Sequence, residues 1–508
     1  MKPVRIVTYS HGFIVYTTRP RAIEALVAYC YKLAEFKFYK PHPKAKPYRA
    51  IHRVYAGARK NRTEFRFHIN CLEDVLADLG AFGFGKSLID FEHKEPPTPA
   101  AFNVDLRDHI STREEQKPAV KYLSNPDQPN KVCDLQTGKG KTFVSLVSMF
   151  ELGFRTLIQL RGGFIHRWVE EIENVFDLKK DDLMIIRGRD SLQTLINLAR
   201  NGELKASIII VTWKTLYNLF KAYELDGIDN EYGISPEQLY ELCNIGTRVN
   251  DEIHLDYHFN FRSDIYSNVK TTIQLSATLK TKDRFRKRIY DIAIPDRDWF
   301  KDHVYDRYIG TYSVRYKLEN PYRIRTHSRG DDRYSHQAFE KSILRDKKLK
   351  RNYADLIGHT LDQFFFADYQ SGQKAIVFCS MVKFCNAMVS LLKKKYPKFD
   401  IRVYYADTPD HELDEADIIV TTIESCGVAV DIKDLKTAIL TRALDKKEMN
   451  EQVMGRLRKL KNWPDVTPIF AFFTCVDVPK HLNYERNKEV DLQGKYLYFR
   501  HYYPPVHV

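Results

Sequence analysis

The 508 residues are 44% hydrophobic and 29% charged, close to the globular average, which excludes a disordered or fibrous chain and suggests roughly three domains at about 150 residues each. The longest apolar runs, such as Ser207 to Val211, are a strand's length and far short of the roughly 20 residues of a spanning helix, so no membrane partner is expected. Lys and Arg exceed Asp and Glu by 80 to 66, a net +14, and residues 1–66 alone hold fifteen Lys or Arg against three acids, a net +12; the excess belongs to one end of the chain and points to a polyanion bound there.

In chain order, residues 1–92 read as a small α/β domain. Phe13 to Tyr16 is β-prone, Arg21 to Leu33 has helical spacing, and Glu64 to Ile69 alternates. Its densest basic tract places Lys37, Lys40, Lys44, Lys46 and Arg49 among Phe36, Phe38, Tyr39 and Tyr48, the mixture of cations and flat apolar faces that binds nucleic-acid strands, although some of the domain's aromatics belong to its core. Residues 93–104, with closely spaced prolines between Lys94 and Ala101, read as a linker. From 105 to 305, apolar runs followed by amphipathic segments recur, the βα alternation of a parallel sheet. Residues 306–345 are a connecting segment with little periodicity, 346–480 repeat the strand pattern as a second α/β domain, and 481–508 form a C-terminal tail. Residues 218–248 and the tail carry no reading beyond surface elaboration. The eight cysteines lack metal-binding spacing and are expected to be reduced.

Gln136 to Thr142 lies where a strand, Val132 to Leu135, turns into a helix. There Gly138, Lys139 and Gly140 can aim backbone N–H groups at phosphate oxygens, Lys141 can reach the β and γ phosphates, and Thr142 can ligate magnesium. Asp251 and Glu252 supply the carboxylates such a site needs, one for magnesium and one for the attacking water, but Ile245 to Val249 before them is a poor hydrophobic strand.

The ordered set of motifs from about residue 112 to 460 resembles the superfamily 2 helicases of the DExH class. That resemblance implies two RecA-like parallel-sheet domains preceded by the small basic α/β domain, with ATP and Mg²⁺ bound between them. It assigns Gln116 to the adenine, Arg161, Gly162, Thr212, Trp213 and Thr422 to the nucleic-acid backbone, and His254, Ser276, Ala277 and Thr278 to coupling. Trp213 fits core packing equally well. Asp431, Gln452 and Arg456 act from the second domain, with Arg456 stabilising charge on the γ phosphate. A second arginine finger is in doubt, because Lys459 stands where the family has arginine and Arg458 is displaced by one; Leu135 and Ala429 also depart from the pattern. The layout is similar to the phage UvsW-type branch-migration helicases. This implies double-stranded or branched DNA as substrate, in recombination, repair or replication, and a monomer in the cytoplasm, that of the host for a phage protein. An RNA helicase and a binding protein with a decayed ATPase are the alternatives.

Overall fold

The computed structural model describes residues 2–39, 46, 48–57, 63–136, 139–255, 257–276, 279, 281, 283–301, 306–327, 333–405, 411–425 and 432–508. It divides into two units, Met1–Leu135 with Lys139–His303, and Gln136–Gly138 with Val304–Val508.

The first unit opens with β1 (Val4–Thr8), β2 (Gly12–Thr17), α1 (Pro20–Lys32), a hairpin of β3 (Ala34–Tyr39) and β4 (Tyr48–Arg53), β5 (Ala56–Gly57), β6 (Glu64–His68), α2 (Leu72–Ala81) and β7 (Ile89–His93). Proline at the first turn of α1 suits its fixed φ, and Ala22, Ala25, Leu26 and Tyr29 recur at helical spacing and are buried. Five strands form one sheet in the order β5-β6-β2-β1-β7, while β3 and β4 pair only with each other among the described residues.

A short pair, β8 (Asp105–Leu106) with β11 (Phe176–Asp177), precedes the main sheet of this unit. Its helices are α3 (Lys117–Leu123), α4 (Lys141–Leu152), α5 (Ile165–Val175), α6 (Arg189–Arg200), α7 (Trp213–Asp226), α8 (Pro236–Leu242), α9 (Tyr257–Asp264) and α10 (Arg284–Ala293). Its strands, β9 (Asn130–Cys133), β10 (Thr156–Leu160), β12 (Leu183–Ile186), β13 (Ile208–Thr212), β14 (Thr247–Asn250) and β15 (Thr271–Leu275), are all parallel, in the order β12-β13-β10-β14-β15-β9. Parallel strands covered on both faces are apolar throughout, as Ile208–Thr212 is. β14 breaks that rule with Arg248 at its centre, yet all four of its residues are buried. The exception is balanced by Asp264 of α9, which forms an ion pair with Arg248, and by the Ser263 hydroxyl 3.2 Å from its Nη1.

One hydrophobic core runs from the N-terminal sheet into the parallel sheet, joining Val4, Phe13 and Phe67 to Leu157, Val211, Phe220, Tyr240 and Phe261. Gly12 sits so close to α9's end that a Cβ there would lie 3.0 Å from the Ile265 backbone. Polar ties reinforce the junction. Buried Arg66 of β6 pairs with Glu237 of α8 and donates to the Tyr223 hydroxyl at 3.2 Å. Residues 218–248 are therefore core rather than decoration, burying Leu219, Phe220, Leu239 and Tyr240.

The second unit contains β16 (Gly310–Tyr316), α11 (His336–Arg345), α12 (Lys347–Leu361), β17 (Lys374–Cys379), α13 (Val382–Lys395), β18 (Ile401–Val403), α14 (His411–Glu415), β19 (Ile418–Thr422), β20 (Leu435–Leu440), α15 (Lys447–Met454), β21 (Ile469–Cys475), α16 (Pro479–Asp491) and β22 (Tyr498–Tyr502). Its seven strands run in parallel in the order β18-β19-β17-β20-β21-β16-β22, with separate apolar clusters around Val377 and Ile439 and around Phe378 and Leu440. β16 arises in the segment read as a connection, and β22 brings the tail onto the sheet edge. The expected class, two parallel-sheet α/β halves preceded by a small α/β region, is what the chain adopts. No helix among the described residues is long and apolar enough to cross a membrane. The seven described cysteines are buried without disulfides, and no group of metal-ligating side chains occurs among the described residues.

Candidate nucleotide-hydrolysis site

The site begins at the C-terminal edge of the first unit's parallel sheet, where β9 gives way to α4. Gly140 caps that helix with a φ of +79°, a left-handed conformation that glycine adopts without penalty. A Cβ at Gly140 would also lie 2.6 Å from Gln116 Nε2. That close approach has a purpose: buried Gln116 donates to the Lys139 carbonyl at 3.1 Å and accepts the Arg113 N–H at 3.2 Å, bracing the loop from the start of α3. Lys141 opens α4, with its ammonium 3.3 Å from the Leu135 carbonyl, and Thr142 follows in the first turn. Lys139 lies 3.9 Å from Glu115. Gly138 lies outside the described residues.

Two strands away, Asp251 and Glu252 leave the end of β14. The Asp251 N–H donates to the Gln159 carbonyl at 3.1 Å and the Ile253 N–H to the Leu275 carbonyl at 3.1 Å, so pairing with β10 and then β15 continues through the carboxylates and fixes their backbone. Between them Glu252 takes a φ of +48°, unusual for a residue with a side chain. Its N–H donates to Asp251 Oδ1 at 2.9 Å, while the Trp168 indole N–H of α5 donates to Asp251 Oδ2 at 2.8 Å. Both carboxyls are half-buried, but their environments differ. Burial pushes the Asp251 carboxyl up, aided by the adjacent Glu252 charge and opposed by Trp168, Lys141 and Arg167. Burial also acts upward on Glu252, yet the hydrogen bond from His254 and the charges of Lys141, His254 and Arg167 outweigh it and hold that carboxyl well below the usual range.

His254 joins this turn to the next strand. Its Nδ1 lies 3.2 Å from Glu252 Oε2 and 2.8 Å from Ser276 Oγ at the end of β15. An ionised carboxylate only accepts, so the Nδ1 proton is shared between Glu252 and the serine hydroxyl. Asn260 of α9 holds the Ile253 carbonyl at 3.2 Å and is itself held by Gln159 at 2.7 Å. Ala277 and Thr278 lie outside the described residues. The geometry thus brings Glu252, His254 and Ser276 into direct contact and places the charges of Lys141 and Arg167 within reach of both acids. Trp168, Arg167 and Asn260 were not singled out from the sequence. Only the amphipathic spacing of α5 hints at Trp168, and nothing local links it to a residue 83 positions later.

The expected nucleic-acid contacts are dispersed along strand ends. Arg161, after β10, donates to the Leu255 carbonyl at 3.4 Å, and Gly162 sits 3.9 Å from a Thr212 methyl were it to carry a Cβ. Thr212 caps α7 and lies 2.7 Å from the Thr215 hydroxyl. Trp213 packs its ring 5.7 Å from Phe259 and 6.4 Å from Tyr217, on the margin of the core. In the second unit, Thr422 ends β19 and donates to the Ser425 hydroxyl at 2.9 Å. Gln452 lies on α15 and buried Arg456 just beyond it. Arg458 donates to the Gly455 carbonyl, and Lys459 pairs with Asp306 at 2.7 Å. Asp431 lies outside the described residues.

In the N-terminal tract, Lys37 lies on β3, Lys46 and Arg49 are exposed, and Lys40 and Lys44 lie outside the described residues.

No family model matches the chain, and no curated protein matches it. Among solved structures, it is similar to Mss116p (NTE and C-tail double deletion) bound to ssRNA and AMP-PNP, at 17% identity and a TM-score of 0.50, over 77% of this chain and 74% of that one. S. cerevisiae Dbp5 bound to RNA and ADP BeF3 aligns at 12% identity and a TM-score of 0.49, over 78% and 90%. T4 UvsW aligns at 13% identity and a TM-score of 0.34, over 99% and 100%. At these identities the likeness is one of architecture alone: RecA-like parallel-sheet halves, here with a small α/β module in front.

Proposed function

We propose that the chain is an ATP-driven nucleic-acid motor of the DExH kind that remodels branched DNA by fork regression, Holliday-junction migration or R-loop unwinding. The observation that carries this reading is the cluster at the ends of β9, β14 and β15: a phosphate-loop lysine, two half-buried carboxyls held in opposite protonation tendencies, and a histidine bridging one of them to Ser276. Two acids driven apart in this way can divide metal binding from water activation.

The residues fit a nucleotide with its metal. Gly140, left-handed at the entry to α4, lets the backbone turn into the helix N-terminus, whose N–H groups would face a phosphate. Thr142 and Asp251 would hold Mg²⁺, which supplies charge neutralisation on the β and γ phosphates. Lys141 grips those phosphates, and Gln116, bracing the loop, is in place to read the base. Glu252, ionised and steered by His254, orients the attacking water and takes its proton. Arg456 of the second unit would stabilise charge developing on the γ phosphate, with Gln452 on the helix α15 that precedes it. His254 and Ser276 carry the state of the hydrolytic turn to β15, so nucleic acid bound at the ends of the neighbouring strands can be sensed.

A nucleic-acid polyanion is favoured by the location of the charge: the +12 of residues 1–66 sits in a module that shares its core with the ATPase unit, and the choice of DNA rests on the layout resemblance. The test is ATP hydrolysis measured with a DNA fork, a four-way junction and duplex RNA. Lys141→Ala and Glu252→Gln are expected to lower the stimulated rate by about a hundredfold or more, with Glu252→Gln still binding nucleotide. Stimulation by RNA but not by branched DNA would overturn the DNA assignment, and a wild type inert on every substrate would overturn the motor.

A further inference from the structure

The hairpin β3–β4 stands apart from the N-terminal sheet, and one of its faces carries exposed apolar side chains. Its register sets Phe36 opposite Ile51 and Phe38 opposite Arg49, so these four side chains share one face. Phe38 is 76% exposed, Ile51 55% and Phe36 39%, and the exposed Arg49 lays its guanidinium 3.7 Å from the centre of the Phe36 ring. The root, by contrast, is fastened. His52 Nδ1 lies 2.6 Å from Nε2 of His258, on the helix that follows the hydrolytic turn, and Arg53 donates to Glu224 at 2.9 Å. A rigidly seated hairpin that leaves two phenyl rings and an isoleucine in water has a use for them.

Charge identifies the occupant. Residues 34–53 contain six Lys or Arg and one acid, a net +5, which repels a second copy of the same face and attracts a polyanion. Bases within a continuous duplex are already stacked on their neighbours; bases at the edge of a branch point have lost one neighbour and present a bare face. Phenyl rings and a flat guanidinium replace that lost neighbour, and cations alongside hold the backbone. We propose that this outer face, Phe36, Phe38, Arg49 and Ile51, is a wedge on which unpaired bases at the branch point stack. The proposal rests on the nucleic-acid reading above, and its anchorage on α7 and α9 couples the wedge rigidly to the ATPase unit.

The test uses the full-length protein without ATP and a DNA fork carrying 2-aminopurine either at the junction or deep in the duplex arm. Wild type is expected to change the junction signal at least twofold while leaving the duplex signal unaltered. Phe36→Ala/Phe38→Ala is expected to abolish the junction response and weaken fork binding about tenfold or more, whereas Phe36→Trp/Phe38→Trp restores both. Both rings are exposed, so the double substitution should leave the circular dichroism unchanged. Tyr322→Ala, removing a ring that is 99% exposed in the second unit, is the control and keeps the full response. A junction response undiminished in the double alanine variant overturns the wedge, as does a wild-type dimer that the variant dissolves with no change in fork signal. A wild type that hydrolyses ATP on forks yet gives no junction response sinks the wedge alone, whereas failure to bind any fork removes the DNA reading with it.

Discussion

Glu252 holds a left-handed φ of +48°, a conformation that costs a side-chain-bearing residue on the order of 1–3 kcal/mol and survives only where its surroundings impose it. Here the impositions are visible: the bond from its own N–H to Asp251, the His254 contact, and the paired backbone on either side at Asp251 and Ile253. Trp168 matters for the same reason. Replacing it with phenylalanine removes the indole N–H that donates to Asp251 Oδ2, a bond to a charged acceptor worth about 1.5–3 kcal/mol. Trp168→Phe is therefore expected to lower kcat roughly tenfold while nucleotide affinity stays within about threefold, a split read from stopped-flow binding beside steady-state hydrolysis. Lys141, Asp251, Glu252 and His254 could be picked out because their chemistry is written in contiguous motifs. Trp168, Arg167 and Asn260 could not, because they become neighbours of the acids only when β10 and β14 pair and α9 folds over them.

Among elements, β14 shows both what the sequence conveys and where it stops. The apolar runs of β10, β13, β15, β17, β19, β20 and β21 are readable because buried parallel strands need continuous hydrophobicity. β14 is not, since the partner that neutralises Arg248 lies sixteen residues on in α9. Likewise β16, with Thr311 and Ser313 buried among tyrosines, lacks a clear period, and the half-exposed edge strand β22 carries little hydrophobic signal. Breaking the buried pair with Arg248→Met leaves Asp264 without its cation and is expected to destabilise the unit by about 3–5 kcal/mol, most of it recovered in Arg248→Met/Asp264→Leu; denaturant unfolding of the three chains checks this. The N-terminal module invites a second measurement. A chain starting at residue 93 strips Phe13 and Phe67 from the shared core and leaves buried Glu237 without Arg66. It should unfold at a clearly lower temperature than the full chain or fail to fold; an unchanged midpoint would show that the module is only tethered.

At the scale of the whole molecule, stability and motor activity should respond to pH through different groups. In the second unit, burial pushes the Glu340 carboxyl from 4.5 up to about 8, despite the N–H groups of Ser380 and Met381 that oppose it. The folded state then keeps a proton the unfolded chain loses. The contribution is complete below pH 4.5 and is lost as pH rises towards about 8, at up to about 1.4 kcal/mol per pH unit. Lys488 is held down at about 7 by burial, so its opposing effect, stability gained as pH rises, is confined to pH above about 7. Between about pH 5 and pH 7 the buried histidines His68 and His481, held at about 3, act the other way and add stability as pH rises, so Glu340→Gln is expected to shift the slope of unfolding free energy against pH upwards relative to wild type. Work on nucleic acid is tested most directly by following ATP hydrolysis and strand separation together on forks, four-way junctions, R-loops and duplex RNA, with wild type and Glu252→Gln side by side. Hydrolysis stimulated most by branched DNA, accompanied by remodelling and absent in Glu252→Gln, is the expected result; a folded wild type that hydrolyses no ATP on any of the four, or a Glu252→Gln protein as active as wild type, would contradict it.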